Sequence, residues 1–213
     1  FRDPKLWREA KTWKALVGAS RKGRGCVLLY HSTDLVAWEY QGVFAESDGS
    51  QGSMWECPDF FPLGGKDVLI VSPLGLGATK TLALVGKRDG SGKRFRPEAV
   101  SRVDFGPDFY APQTFLGPKG RRIVIGWLGN WAHKETPSGG FGWRGAMSVP
   151  RVLSLRKPDL ALASEPVKEI EKLRGRTIKP SVETDRMGWT SLGEAEAMSL
   201  DAELEVPSLA AGV

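Results

Sequence analysis

The chain has 213 residues and a mass of 23.3 kDa, enough for one large all-β domain or one and a half ordinary domains. It contains no apolar run near the ~18 residues that cross a bilayer, and its two cysteines and two histidines are too few for a disulfide framework or a four-ligand zinc site. The basic residues behind the net charge of +5 form short clusters beside turns. This placement favours solvated hairpin tips over a nucleic-acid-binding surface.

Short β-type runs recur along the chain between turn signals, and most of them are four to seven residues long. The stretches between them are rich in Gly, Pro, Ser and Asp, which is typical of hairpin loops rather than of helix linkers. In chain order the predicted strands are 26–30, 38–44, 68–71, 81–85, 123–127 and 149–155. Because no stretch before residue 160 sustains a helical stripe, the sequence predicts an all-β fold, either a sandwich or a propeller.

The pattern of apolar and polar residues changes after residue 155, so we expect a domain boundary there. Residues 167–174 mix apolar and charged positions in a way that fits a linker strand or a short helix. The remaining residues include an alternating apolar run at 200–206 but are too few to bury a core alone. We therefore predict a first domain over residues 1–160, a linker over 161–175, and the opening strands of a second domain over 176–213.

Glu56 is the acidic residue with the most unusual surroundings. It lies between Trp55 and Cys57 on a predicted strand that Pro58 ends. A carboxyl group hemmed in by apolar neighbours has a raised pKa and can act as a general acid near neutral pH. The alternative is that strand alternation points Glu56 into solvent.

Other acids lie beside turn residues. Asp3 follows Arg2 and precedes a proline, and an adjacent arginine can pin such a carboxylate or lower its pKa. Asp104 and Asp108 lie among aromatic residues near Gly106. All three acids also fit ordinary turn-forming roles.

Tryptophan is abundant in a glycine-rich stretch that contains Trp127, Asn130, Trp131 and Trp143. Core packing accounts for many tryptophans. Tryptophan next to polar side chains is also typical of sugar-binding surfaces, because a sugar ring offers C–H groups on its face and hydroxyls on its rim. The stretch therefore predicts a carbohydrate site, with a structural role as the alternative.

Four segments taken together resemble one family. They are residues 1–4 (Phe-Arg-Asp-Pro), 55–59 (Trp-Glu-Cys-Pro-Asp), 104–115 and 143–151. In order and spacing they are similar to the motifs of glycoside hydrolase family 32, the β-fructosidases that include invertases, levanases and exo-inulinases. The resemblance covers about residues 1–155, and the rest is similar to the family's linker to a β-sandwich.

The resemblance implies a five-bladed β-propeller, incomplete here, followed by the start of a β-sandwich. It also implies the site residues: Glu56 as acid/base, Asp3 as transition-state stabiliser, and Arg2, Cys57, Trp143 and Asp104 as substrate-binding or modulating neighbours. Asp104 would touch the leaving-group side, although the lysine that plant-type invertases carry shortly after it is matched by Pro107 here. No cofactor and no metal are implied.

The family's nucleophile is an aspartate in an Asn-Asp-Pro-type motif of the first blade, and this sequence contains no such motif. We therefore expect a chain that holds the later blades of a retaining enzyme acting on a small-molecule carbohydrate, sucrose or a fructan, and that is inactive alone. The expected partners include no nucleic acid and no membrane. The alternatives are a non-catalytic fructan-binding propeller and a fructosyltransferase.

Overall fold

The computed structural model describes residues 1–77, 81–129 and 139–176, and nearly all regular structure in these ranges is β-strand. The chain divides into two units, Phe1–Val167 and Lys168–Val213. Within the described ranges, every helix is too short and too polar to span a membrane.

The first unit contains three antiparallel sheets that follow one another along the chain. The first sheet comprises β1 (Arg2–Glu9), β2 (Thr12–Arg21), β3 (Arg24–Ser32) and β4 (Glu39–Glu46). The second comprises β5 (Met54–Leu63), β6 (Lys66–Leu74), β7 (Leu82–Arg88) and β8 (Phe95–Arg102). The third comprises β9 (Phe109–Leu116), β10 (Arg122–Leu128), β11 (Ala146–Met147), β12 (Arg151–Leu155) and β13 (Leu162–Pro166).

Each sheet is an antiparallel meander of four strand positions, and in the first two sheets every strand pairs with the next. In the third sheet one edge of β10 pairs with β9, while its other edge is shared by β11 near Trp127 and by β12 near Ile123. The third position of that sheet is therefore one strand interrupted by a loop. Repeated four-stranded meanders are the blades of a β-propeller.

The core lies between the sheets, because the second sheet packs on both neighbours. Successive residues of a strand point to opposite faces. Leu69 and Val71 belong to a buried cluster with the first sheet, whereas Val68 and Ile70 belong to a buried cluster with the third. The blades are thus stacked face to face through two apolar layers.

The predicted all-β class is confirmed, and each predicted strand run overlaps an observed strand, with the starts of 38–44, 81–85 and 149–155 one or two residues too early. β13 falls within the stretch that the sequence assigns to a linker, since it pairs with β12 from Arg151↔Pro166 to Leu155↔Leu162. The described part of the second unit contains a 3-10 helix at Lys168–Leu173, which is the second of the two alternatives, a linker strand or a short helix, that the sequence left open there. The alternating run at 200–206 and the expected sandwich lie outside the described residues.

Candidate active site

The first strands of the three blades begin with the same local pattern. Arg2, Glu56 and Tyr110 occupy equivalent places in β1, β5 and β9, and each is 54 residues from the next. A residue with positive φ and then a proline follow each of them. The positive-φ residues are Asp3 (59°), Cys57 (47°) and Ala111 (50°).

The regular pairing of each blade shifts at this point: between Arg2 and Lys5, between Glu56 and Asp59, and opposite Ile125 and Trp127. A bulge of this kind re-aims side chains and is common beside active sites. Positive φ at a residue other than glycine costs about 1–3 kcal/mol and persists only where the surroundings hold it. The three bulges turn the side chains of neighbouring blades toward one another.

Glu56 is held between residues of the other two blades. Its Oε1 lies 3.2 Å from Arg2 Nη1, and the Tyr110 hydroxyl donates a hydrogen bond to its Oε2. The Glu56 side chain is 12% exposed, so the alternative in which it points freely into solvent is not what the structure shows. A carboxyl group with two defined partners and limited exposure has the geometry of a general acid/base.

Asp3 contacts the residue next to Glu56. The backbone N–H of Cys57 donates to Asp3 Oδ2 over 3.1 Å, and Cys57 Sγ lies 3.4 Å from the same oxygen. Asp3 Oδ1 takes no hydrogen bond from the described residues. One carboxylate oxygen is thus fixed by the protein while the other is available to a ligand hydroxyl.

Burial, reinforced by the Asp3 and Glu56 carboxylates, raises the pKa of the Cys57 thiol to about 12. The thiol is therefore protonated at physiological pH and can donate its hydrogen to Asp3. A thiol in this state is a poor nucleophile. Cys57 can support Asp3, but it cannot serve as the covalent catalyst.

Close packing of β5 on the first blade brings Glu56 near Asp3. Trp55 is fully buried, and its indole lies against Gly25, where an added Cβ would sit 2.3 Å from Trp55 Cδ1. The Trp55 carbonyl lies equally close to Gly18, where a Cβ would be 2.3 Å away. Side chains at these two glycines would push the strand that carries Glu56 away from Asp3.

Tyr110 is a site residue that sequence reasoning missed. Its strand is tied to the second blade on both sides, because Thr81 Oγ1 donates to the Phe109 carbonyl and the Ala111 N–H donates to Ser72 Oγ. Burial, followed by the hydrogen bond to Glu56, raises the pKa of the Tyr110 hydroxyl above its usual range. The hydroxyl therefore remains a donor to Glu56. The 54-residue interval, extended from Glu56, is the signal that could have found it.

Asp104 makes its described contacts with other residues than those of this cluster. Its Oδ2 is 2.6 Å from Arg151 Nη1, and its Oδ1 accepts the Gly106 N–H. Among the described contacts it touches neither Glu56 nor Asp3. Its carboxylate fixes the loop after β8 to the start of β12.

Trp143 lies on the loop that leaves β10 at the end where Tyr110 lies, since Trp127 pairs with Tyr110 in the sheet. The Trp127 indole N–H donates to the Arg144 carbonyl over 3.3 Å and so holds that loop. Trp143 is 59% exposed and stacks on Phe141 with ring centroids 5.3 Å apart. It is available to a ligand. Asn130 and Trp131 lie outside the described residues.

This cluster can perform acid/base chemistry. It contains the Glu56 carboxyl group with two partners, the Asp3 carboxylate with one free oxygen, and the cation of Arg2. In the described parts of the chain, no three His, Cys, Asp or Glu side chains are grouped so that they could hold a metal ion.

Comparison with known proteins gives a match over almost the whole first unit. The model of the glycosyl hydrolases family 32 N-terminal domain matches residues 1–166. Sucrose-6-phosphate hydrolase of Escherichia coli is 41% identical over 183 residues, which cover 82% of this chain and 38% of that protein. The raffinose invertase of the same organism is 38% identical over 183 residues, with the same coverage of both chains.

Among solved structures, a GH32 β-fructofuranosidase from Bombyx mori matches with a TM-score of 0.77 and 36% identity, over 84% of this chain and 40% of that one. A mutant of that enzyme has been solved in complex with sucrose. The chain spans about two fifths of the length of the relatives that it matches.

Proposed function

The chain belongs to glycoside hydrolase family 32, and on that premise we propose that it forms the acid/base side of the active site of a retaining β-fructosidase. The observation that carries the proposal is Glu56, a largely buried carboxyl group placed between Arg2 of one blade and Tyr110 of another. The reaction is hydrolysis of a terminal, non-reducing β-D-fructofuranosyl residue.

In this proposal Glu56 acts twice. It first gives its proton to the glycosidic oxygen of the leaving sugar, and then, as a carboxylate, it takes a proton from the water that hydrolyses the fructosyl-enzyme intermediate. Tyr110 and Arg2 hold the carboxyl group in place during both steps. Because the pKa of Tyr110 is raised, its hydroxyl stays a donor throughout.

Asp3 binds the fructosyl hydroxyls and stabilises the positive charge that develops on the ring in an oxocarbenium-like transition state. Support comes from its free oxygen and from the Cys57 N–H that fixes the other. Retention of configuration also requires a carboxylate nucleophile about 5–5.5 Å from the acid/base. We propose that a segment outside these 213 residues supplies it, and the polypeptide that joins this chain to that segment is here termed the complete enzyme.

The substrate class proposed is sucrose or a fructan. Related proteins are named for hydrolysis of sucrose 6-phosphate and for raffinose invertase activity, and solved relatives hold sucrose or 1-kestose. These share a β-linked fructofuranosyl end, which is the part of the substrate that Asp3 and Glu56 would contact.

The experiment that tests the function compares the complete enzyme with residues 1–213 alone. We expect the complete enzyme to release fructose from sucrose, and the chain alone to show no measurable turnover, because one of the two required carboxylates is absent. Sucrose hydrolysis by the purified chain at a rate similar to that of the complete enzyme would contradict the proposed division of the site. Failure of the complete enzyme on sucrose, 1-kestose and longer fructans would refute the function.

Replacing Trp143 by Ala in the complete enzyme should lower kcat/KM and raise KM, because an aromatic wall stacks on the sugar in ground and transition states alike. Stacking on an aromatic ring is worth about 1–3 kcal/mol, or roughly 5- to 150-fold in kcat/KM. Trp38→Ala is the matched control, since Trp38 lies just before β4 at the opposite end of the first blade. Unchanged kinetics with reduced thermal stability would show that Trp143 is structural.

A further inference from the structure

A second ring of contacts lies three residues beyond Arg2, Glu56 and Tyr110. The equivalent positions here are Lys5 in β1, Asp59 in β5 and Gln113 in β9. Lys5 Nζ lies 2.8 Å from Asp59 Oδ1 and donates to Gln113 Oε1 over 3.2 Å. One ammonium group thus contacts the first strands of both other blades.

The backbone closes the ring. The Thr114 N–H of β9 donates to Asp59 Oδ2 over 2.5 Å, and the Thr114 carbonyl lies 3.3 Å from Lys5 Nζ. The Gln113 amide lies 3.4 Å from the carbonyl oxygens of Cys57 and Pro58. Asp59 is therefore joined to the blade before it by an ion pair and to the blade after it by a hydrogen bond.

Burial of the Asp59 carboxylate carries a cost in desolvation free energy. Its side chain is 0% exposed and that of Lys5 is 21% exposed. Charge pairs in an interior are seldom a net source of stability, because desolvation offsets their attraction, and a well-packed neutral pair is often as stable. Arg122 also interacts with Asp59 electrostatically, although it is Lys5 that makes the ion pair. The pair is therefore better explained by the strand positions that it fixes than by a contribution to the free energy of unfolding.

The pair lies next to the bulges of the three first strands, and the position of these bulges is what it can fix. In each blade the irregular stretch lies between the ring of Arg2, Glu56 and Tyr110 and the ring of Lys5, Asp59 and Gln113. The prolines within the bulges have no N–H to donate to a neighbouring strand. Contacts at Lys5, Asp59 and Gln113, just beyond this stretch, can therefore help to fix the positions of the three strands relative to one another.

We propose that Lys5 and Asp59 are positioning residues: their ion pair, together with the hydrogen bond from the Thr114 N–H to Asp59, holds the first strands of the three blades in place so that Glu56 and Asp3 both face the substrate. We term the pair the inter-blade latch. The inference rests on the proposed function. Without the ion pair, the Glu56 carboxyl group shifts relative to the substrate. A misplacement of about 1 Å can cost 10²-fold in rate.

The test uses the double variant Lys5→Met/Asp59→Asn of the complete enzyme, which removes both charges of the pair together. Two substrates are compared: sucrose, whose leaving glucosyl oxygen needs a proton, and β-D-fructofuranosyl fluoride, whose leaving group needs little help. We expect kcat/KM for sucrose to fall by about 10- to 100-fold, while kcat/KM for the fluoride, which reports only the steps up to departure of the leaving group, falls by no more than about 3-fold. The ratio of the two kcat/KM values should therefore drop about 10-fold.

Three further variants make the outcome decisive. Lys5→Arg keeps the ion pair and should keep the wild-type ratio. If the double variant does not fold, Asp59→Asn alone tests the latch by the same ratio. Asp67→Asn breaks a contact with Arg88 at the opposite end of the second blade, so it should lower the melting temperature without changing the ratio.

An unchanged ratio in the double variant would overturn the latch, and so would an equal change in Asp67→Asn. Glu56→Gln separates this failure from failure of the proposed function. If Glu56→Gln lowers the ratio and the latch variants do not, only the latch is wrong. If Glu56→Gln leaves the ratio unchanged, the proposed role of Glu56 is wrong and the latch falls with it.

Discussion

Glu56→Gln in the complete enzyme should lower kcat for sucrose by about 10²- to 10⁴-fold, the usual contribution of general acid catalysis. Glutamine has the shape of glutamate and keeps an oxygen that can accept a hydrogen bond from Arg2 or Tyr110, so the fold should be retained. What it lacks is the proton that the leaving oxygen needs. The measurement is steady-state kinetics on sucrose, with Glu98→Gln, a change in an ion pair with Lys66, as the matched control.

Two features separate loss of an acid from loss of a binding group. With fructosyl fluoride the first chemical step of Glu56→Gln should be nearly normal, while hydrolysis of the fructosyl intermediate slows and the intermediate accumulates. The basic limb of the pH profile of kcat/KM should also disappear, because that limb reports the protonated acid of the free enzyme. Equal losses in the first step for both leaving groups, with the basic limb still present, would show that Glu56 only binds sugar.

Asp3→Asn should cause a different loss, of about 10²- to 10³-fold in kcat/KM and of similar size for sucrose and for fructosyl fluoride. The charge of Asp3 acts on the fructosyl ring in the transition state, whichever group leaves, and removing one preorganised group of this kind costs about that much. Asparagine tolerates the positive φ at this position and can still accept the Cys57 N–H. The backbone should therefore stay in place.

Paired kinetics on the two substrates check this prediction. A loss confined to sucrose would place Asp3 on the leaving-group side and contradict its role on the fructosyl ring. Normal kinetics with a lower melting temperature would make Asp3 a structural residue that only fixes Cys57.

Much of the fold was predictable because the central strands of each sheet are regular. Residues 26–30, 68–71 and 123–127 are apolar runs bounded by turn residues, and they became β3, β6 and β10. The first strands were mostly missed for a physical reason. Only the strand at Glu56 was predicted, and it continues past Pro58 to Leu63 instead of ending at the proline. β1, β5 and β9 contain the prolines Pro4, Pro58 and Pro112, and β1 and β5 also contain charged residues, which ordinary strand patterns exclude. These prolines lie in the bulges that form the candidate site.

The candidate site was predictable only in part. Glu56, Asp3, Arg2 and Cys57 are adjacent in two short motifs, and the structure brings all four together. The contact of Glu56 with Tyr110 and the contact of Lys5 with Asp59 join different blades, so no local pattern reveals them. Asp104 lies in a motif, but its charge is taken up by Arg151, a partner distant in sequence. The placement of Trp143 beside the substrate stays a prediction.

The most direct test of the account is the rescue of Glu56→Ala by azide, with β-D-fructofuranosyl fluoride as substrate and NMR identification of the product. If Glu56 is the acid/base, the fructosyl intermediate still forms, and azide, which needs no general base, should attack it and accelerate turnover. The account predicts β-D-fructofuranosyl azide, with the configuration of the substrate retained. The α-azide, or no acceleration by azide at all, would contradict the assignment of Glu56 as the acid/base.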